Sequence, residues 1–177
     1  MPTLARTRSA LVLIDFQARL MPAIHDAEGV VANAGRLLAA AEALGVPTLQ
    51  TEQNPKGLGP TLPELVPAAG TALAKMTFDA CRTGGLVERL PAGAEVVVAG
   101  CEAHVCVLQT VLGLLDRDVS VYVVADAVGS RRPESKEAAL RRMERQGADI
   151  VTTEMVIFEW LETAEDPQFK SVIALIK

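Results

Sequence analysis

The sequence predicts an α/β protein, a three-layer α/β/α sandwich around a mostly parallel sheet, and two patterns support this prediction. Short apolar runs such as SALVLIDF (9–16) are continuous rather than alternating, which is typical of parallel strands covered on both faces. Between these runs, apolar residues recur at helical spacing. Strands that alternate with helices are joined by right-handed crossovers, so helices are expected on both faces of the sheet.

The first half of the chain contains three predicted strands, one long helix and one long loop. The strands lie at 9–16, 46–51 and 71–76. After the first strand, apolar residues from Val30 to Leu44 recur at helical spacing, and Gly45 can adopt the left-handed conformation that ends a helix. The segment 52–65, EQNPKGLGPTLPEL, is rich in Pro and Gly and is typical of a long surface loop.

The second half continues the alternation of strands and helices. After a short helix around Leu86, further strands are predicted at 94–100, 119–126 and 148–153. One helix runs through Val105 to Leu115, and Pro133 and Gly147 mark the start and the exit of the next. The remainder of the chain is expected to be helical. A length of 177 residues fits one domain, which we expect to span 1–177.

Composition argues against several classes of partner and site. The chain has 17 Lys and Arg against 22 Asp and Glu and a net charge of -5, so nucleic acid and membranes are not expected partners. No apolar run approaches the roughly 18 residues that span a bilayer, and no signal pattern precedes the first strand, which favours a cytoplasmic protein. The three cysteines have neither CxxC nor metal-ligand spacing, which argues against a disulfide framework and a zinc site.

Charged or nucleophilic residues stand where four predicted strands end. In open parallel sheets, ligands bind beyond the carboxyl ends of the strands. The residues at these ends are Asp15, Glu52, Lys75 and Cys106. A carboxylate at the end of an apolar run needs a partner, and the flexible stem of Lys75 could supply one to Asp15. The alternative for this pair is a buried salt bridge that only stabilises the sheet.

Cys106 is the candidate nucleophile. In the first turn of a helix, the N–H groups and the helix dipole favour thiolate. Lowering a thiol pKa from about 8.5 to about 7 takes roughly 2 kcal/mol, whereas a helix terminus supplies about 0.3 to 1 kcal/mol. A cation is therefore required, for which Lys75 is the candidate, and Asp15 can accept the thiol proton. The alternative is an inert buried thiol.

The other cysteines and the two histidines have weaker claims to a chemical role. Cys101, at a strand end, is expected to pack in the core, and Cys81, within FDACRTGG, is either incidental or directed toward substrate. His25 and His104 are too far apart in the sequence to suggest a metal site, so we expect no metal. His104 stands two residues before Cys106 and is assigned a solvated or supporting role.

Three separated motifs resemble those of the isochorismatase-like cysteine hydrolases. They are VLIDFQ around Asp15, AKMTFDACRTGGL around Lys75 and VVVAGCEAHVCVLQT around Cys106, in the order and approximate spacing of that family. Two further stretches, TEQNPKGLGPTLPEL and DPQFKSVIALIK, are similar to the branch named isochorismatase domain-containing proteins. The resemblance covers nearly the whole chain.

The resemblance implies a six-stranded parallel sheet of order 3-2-1-4-5-6 and an Asp-Lys-Cys triad at Asp15, Lys75 and Cys106. It also implies a cis peptide bond before Glu102 and an oxyanion hole formed by the backbone N–H groups of Ala103 and Cys106. A homo-oligomer is implied and a cofactor is not. The apolar stretch FKSVIALIK could form the contact between subunits or close the core of its own chain.

Five residues near these motifs are candidates for contacting a small-molecule substrate, and each has a packing or solvation alternative. They are Phe16, Gln17, Glu52, Phe78 and Glu102.

The expected function is hydrolysis of a small amide or carbamate through a thioester on Cys106. The nicotinamidases of this superfamily bind a metal through an Asp-x-His motif and a later histidine, and TEQNPKGLG contains neither. True isochorismatases cleave a vinyl ether and can lack the nucleophilic cysteine, so the presence of Cys106 favours amide chemistry. The alternatives are vinyl-ether hydrolysis, a redox pair of Cys106 with Cys101, and a non-catalytic module that binds a metabolite.

Overall fold

Six strands form one sheet in which every neighbouring pair is parallel. A computed structural model describes residues 3–68, 70–82 and 85–177. Its strands are β1 (Ser9–Ile14), β2 (Thr48–Gln53), β3 (Leu73–Lys75), β4 (Glu95–Cys101), β5 (Ser120–Gly129) and β6 (Asp149–Val151). Their order is β3-β2-β1-β4-β5-β6, which confirms the predicted fold class and strand order.

Within the described residues, seven α-helices connect or follow the strands. They are α1 (Ala27–Leu44), α2 (Pro55–Leu58), α3 (Leu86–Arg89), α4 (Leu108–Leu115), α5 (Pro133–Arg145), α6 (Thr153–Leu161) and α7 (Phe169–Ile173). A π-helical turn, Ala103–Val107, leads from β4 into α4. None of the described helices is both long enough and apolar enough to cross a membrane.

The sheet divides the apolar interior into two clusters because neighbouring residues of a strand point to opposite faces. Leu11 and Leu13 of β1 pack under α1, α6 and α7, on what we call the α1 face. Val12 and Ile14 pack under α3, α4 and α5, on the α4 face. Both faces of the central strands are therefore buried, which explains their continuous apolar sequences.

The C-terminal stretch closes the core of its own chain. Val172 is buried on the α1 face, with Phe169, Ile173, Leu175 and Ile176 packed against the same cluster. The Nε of Arg36 on α1 donates to the Leu175 carbonyl at 3.0 Å. Of the two predicted roles for FKSVIALIK, the structure shows this one.

The second strand begins and ends two residues later than predicted. Val46 still belongs to the helix exit, because its N–H donates to the Ala41 carbonyl at 2.8 Å. At the other end, Gln53 pairs with Lys75 on β3. The predicted loop therefore starts after Gln53, and it contains the short helix α2 and a 3-10 turn at Pro63–Leu65.

Candidate active site

Asp15 stands directly after β1, at the carboxyl edge of the sheet. Its backbone is left-handed, with a φ of 54°, and its side chain is fully buried. One carboxylate oxygen, Oδ1, accepts a hydrogen bond from the Thr51 hydroxyl at 2.6 Å. The other, Oδ2, accepts from Lys75 Nζ at 2.7 Å. The partner that a buried carboxylate requires is thus a lysine two strands away.

Lys75 reaches Asp15 across β2, which lies between their two strands. Its ammonium group is buried and also donates to Gln53 Oε1 at 2.8 Å. The Gln53 amide nitrogen donates in turn to the Met76 carbonyl at 2.8 Å, so the amide presents its oxygen to the lysine. Both charges of the pair are hydrogen-bonded to β2, as buried ions must be.

Cys106 lies in the π-helical turn that follows β4. The side chain is buried, with 6% of its surface exposed, and packs on the α4 face. Asp15 and Lys75 are close enough to its thiol to shift the thiol pKa, in opposite directions. The Cys101–Glu102 peptide bond that precedes this turn is cis. Single π-helical turns occur frequently at functional sites.

The electrostatics of Cys106 differ from the sequence-based expectation of a thiolate. Burial and, after it, the negative charge of Asp15 raise the thiol pKa to about 12, while Lys75 lowers it. The lysine does not prevail because burial disfavours the thiolate and the charge of Asp15 acts on the same thiol. The predicted low pKa is therefore wrong for the resting protein, in which Cys106 is a neutral thiol.

The other two cysteines lie in different surroundings. Cys101 is fully buried on the α1 face, and burial raises its pKa to about 12. Cys81 is partly buried, and burial followed by the charge of Asp79 raises its pKa to about 12. The packing role that the sequence predicts for Cys101 is confirmed.

Three of the predicted substrate-contacting residues make contacts within the protein, and their contact with substrate stays a prediction. Gln17 uses its whole amide, donating to the carbonyls of Gln53 and Gly59 at 3.0 and 2.7 Å and accepting from the Gln53 N–H at 2.8 Å. Glu52 Oε1 accepts from the backbone and hydroxyl of Thr61 at 2.7 and 2.8 Å. Phe16 is buried in the core of the α1 face. These contacts are the ones that the packing or anchoring alternative describes.

The strand alternation explains why Glu52 is not in the site. Thr51 and Gln53 point toward Asp15 and Lys75, so Glu52 between them points to the opposite face of the sheet. There its carboxylate fixes the segment around Thr61.

Phe78 and Glu102 have different exposures. Phe78 keeps 49% of its surface exposed, and its contact with substrate stays a prediction. Glu102 is buried, and one oxygen, Oε2, accepts from both the backbone N–H and the Nε of Arg131, at 2.9 and 3.0 Å. Glu102 thus positions an arginine. The oxyanion hole at the N–H groups of Ala103 and Cys106 also stays a prediction.

Two cavities flank these residues. One, of about 310 Å³, is lined by Pro55, Ala74, Lys75, Met76 and Thr77. The other, of about 410 Å³, is lined by His104, Arg131, Arg132 and Ser135. Across the part of the chain that the structure describes, no group of three or more His, Cys, Asp and Glu side chains could hold a metal ion.

Sequence reasoning missed three residues of the site region. Thr51 and Gln53 hold the charged pair, and the polar residues at alternate positions of β2 were the signal that could have identified them. Arg131 was missed because it follows the predicted end of β5 at residue 126, whereas the strand continues to Gly129.

Comparison with known proteins places these features in a family. A model of the isochorismatase domain matches residues 9–155. Human isochorismatase domain-containing protein 2 is 40% identical over 182 residues, which cover 99% of this chain and 88% of the relative. The structure of the MAR1 ribonuclease from Caenorhabditis elegans is 36% identical, with a TM-score of 0.93 and coverage of 99% and 92% of the two chains.

A third similar structure is the YcaC gene product of Escherichia coli, described as an octameric hydrolase of unknown specificity. It is 26% identical, with a TM-score of 0.86, and the match covers 99% of this chain and 88% of that protein. The family model spans most of the chain and the human relative exceeds 30% identity along its length. The chain therefore belongs to the isochorismatase domain family.

Proposed function

We propose that this protein is a cysteine hydrolase that cleaves a small amide or carbamate. The observation that supports it best is the position of the Cys106 thiol beside the buried Asp15–Lys75 pair, whose two charges shift the thiol pKa in opposite directions. A nucleophile, a proton acceptor and a fixed cation then stand close together, and the acceptor and the cation are joined by a 2.7 Å ion pair. This is the set of roles that acyl transfer through a covalent intermediate needs.

The raised thiol pKa fits this assignment if the proton moves during the attack. The Cys106 S–H bond breaks and its proton passes to the Asp15 carboxylate as sulfur bonds to the substrate carbonyl carbon. Negative charge leaves the carboxylate and passes through sulfur to the carbonyl oxygen, while Lys75 stays cationic beside it. The total charge of the triad and substrate is unchanged, so no uncompensated charge forms in the buried site.

The tetrahedral intermediate then collapses to a thioester. The carbonyl re-forms, the C–N bond breaks, and Asp15 returns the proton to the departing nitrogen. The backbone N–H groups of Ala103 and Cys106 are the donors that we assign to the oxyanion. Water next gives a proton to Asp15 and adds to the thioester carbonyl. Cys106 leaves and regains the proton, and the acid product is released.

The redox alternative fits the structure less well. The sulfurs of Cys101 and Cys106 pack on opposite faces of the sheet, which opposes a disulfide between them without movement of the backbone. RNA is not part of the proposal, although one similar structure is a ribonuclease, because a net charge of -5 does not favour a polyanion. We include in the proposal a single domain and a homo-oligomer, the latter because the YcaC neighbour is octameric.

Intact-mass measurement tests the reaction directly. The protein is incubated with small amides, carbamates, vinyl ethers and an RNA oligonucleotide, and samples are quenched in acid. We expect turnover of an amide or carbamate and an acyl adduct that peptide mapping places on Cys106. Both are expected to disappear in Cys106→Ala and to persist in Cys101→Ala, the matched control. Turnover that survives Cys106→Ala, or turnover of RNA or a vinyl ether alone, would contradict the proposal.

A further inference from the structure

The cavity beside β5 and α5 is lined by two arginines. It lies on the opposite side of the π-helical turn from Cys106. Its lining residues are His104, Arg131, Arg132 and Ser135. Side chains two residues apart in helical backbone point in nearly opposite directions. Accordingly, Cys106 lies near Asp15 and Lys75, whose charges act on its pKa, whereas His104 Nδ1 lies 3.0 Å from the Ser130 hydroxyl. The cavity is therefore separate from the proposed triad.

Arg131 is held in one orientation with its terminal nitrogens unused. The buried Glu102 carboxylate accepts from the Arg131 Nε at 3.0 Å and from its backbone N–H at 2.9 Å. The structure gives the two terminal NH₂ groups no hydrogen-bond partner among the residues it describes. A guanidinium fixed at Nε presents a planar pair of donors that matches an oxyanion.

Arg132 and the N-terminus of α5 add positive electrostatic potential to this cavity. Arg132 is exposed, makes no ion pair with any residue that the structure describes, and stands at the start of the 13-residue helix α5. The N-terminus of a helix attracts negative charge, and Ser135 of the first turn contributes a hydroxyl. The acidic residues Glu134 and Glu137 of α5 line a neighbouring cavity, and Glu137 pairs with Arg141.

We infer that this cavity binds the oxyanion group, carboxylate or phosphate, of a small molecule at a site distinct from the triad. Glu102 balances one of the two arginines, which leaves the charge of Arg132 for a ligand. A volume of about 410 Å³ is within the range of small-molecule pockets. The inference does not depend on catalysis, so it can fail or succeed independently of the hydrolase proposal.

The two histidines provide a direct measurement of binding. Proton NMR of their ring signals is recorded during titration with inorganic phosphate, and in parallel with succinate, at fixed pH and ionic strength. His104→Gln assigns the signals. We expect a saturable shift of the His104 signals, while His25, which lines the neighbouring cavity, serves as the reference. The anion with the lower apparent Kd identifies the preferred group.

Three arginine variants make the test specific. We expect Arg131→Gln to raise the apparent Kd about tenfold, because the paired donors are lost, and Arg132→Ala to raise it about threefold. Arg145→Ala, at the other end of the same helix and exposed, should leave it unchanged. Because Arg132 is also exposed, Arg132→Ala is expected to fold normally. The inference is overturned if neither anion shifts His104 saturably, or if Arg131→Gln and Arg132→Ala bind like the unmodified protein.

Discussion

Cys101 and Cys106 stand five residues apart and have similarly raised pKa values, but their surroundings differ. Both are buried, with 0% and 6% of their surfaces exposed, and burial is the main reason that the pKa of each rises to about 12. Cys101 ends β4 and packs against Gly129, where an added Cβ would stand 3.3 Å from its sulfur. Cys106 lies in the π-helical turn near the Asp15–Lys75 pair, whose charges act on its pKa. A raised pKa thus does not distinguish the two thiols, whereas a proton acceptor within reach does.

The backbone between the two cysteines creates this difference. Gly100 allows β4 to approach β1 closely, because a Cβ there would stand 2.4 Å from the Ile14 carbonyl oxygen. The π-helical turn Ala103–Val107 then directs Cys106 to the α4 face. The Cys101 sulfur therefore packs in the apolar core, whereas the Cys106 sulfur lies beside the Asp15–Lys75 pair.

Removing the cation of that pair gives the largest expected effect. Lys75→Met leaves the buried Asp15 carboxylate without its counter-charge and is expected to lower the free energy of unfolding by about 3–5 kcal/mol. Urea denaturation at fixed protein concentration measures it. The fluorescence of Trp160, the one tryptophan of the sequence and fully buried, reports the transition.

The matched control is an ion pair on the surface. Arg141→Met breaks a 2.8 Å contact with Glu137 on α5, where both side chains are more than half exposed, and is expected to cost less than about 1 kcal/mol. If the two variants were equally stable, the Asp15–Lys75 pair would contribute no more to stability than a surface contact, which would contradict the fixed cation of the proposed triad.

Alkylation compares the two thiols directly. In the folded protein we expect iodoacetamide to modify Cys106 at least about tenfold faster than Cys101, because Cys101 is fully enclosed. A pKa of about 12 keeps Cys106 neutral at pH 7, so its rate should rise about tenfold per pH unit from pH 7 to 10. Peptide mapping by mass spectrometry follows both residues in one sample.

The same reaction in urea provides the reference, since both cysteines are then exposed and should react alike. A rate at Cys106 that levels off near pH 7 would show a thiolate in the resting protein. It would contradict the charge balance described above and restore the low pKa that the sequence suggested.

The sequence predicted the fold and the charged pair for a shared reason. Continuous apolar strands are buried on both faces, so a charged residue at the end of such a strand needs a partner of opposite charge. Asp15 and Lys75 form this ion pair with each other. The pKa direction of Cys106 was not predictable in this way. It depends first on the burial of the thiol and then on the nearby charge of Asp15, which only the geometry shows.

The substrate contacts were harder to predict because a strand boundary decides which face a residue occupies. The prediction ended β2 at residue 51, which made Glu52 the first residue beyond the strand. The strand in fact continues to Gln53, and Glu52 points away from the site. Adjacent residues of a strand point to opposite faces of the sheet, so the direction assigned to Glu52 depends on whether it belongs to the strand. The Pro and Gly residues of the following loop made the end of β2 hard to predict.

Two threonines of β2 give the smallest and most local test. The Thr51 hydroxyl donates to Asp15 at 2.6 Å, so Thr51→Val leaves a buried carboxylate oxygen unpaired and is expected to cost about 1 kcal/mol or slightly more. The Thr48 hydroxyl is buried and has no hydrogen-bond partner among the described residues, so Thr48→Val should be neutral or slightly stabilising. Urea denaturation of both variants measures the difference. Equal losses would mean that the hydroxyls matter only through strand packing, and that Thr51 does not help to hold the acid beside Cys106.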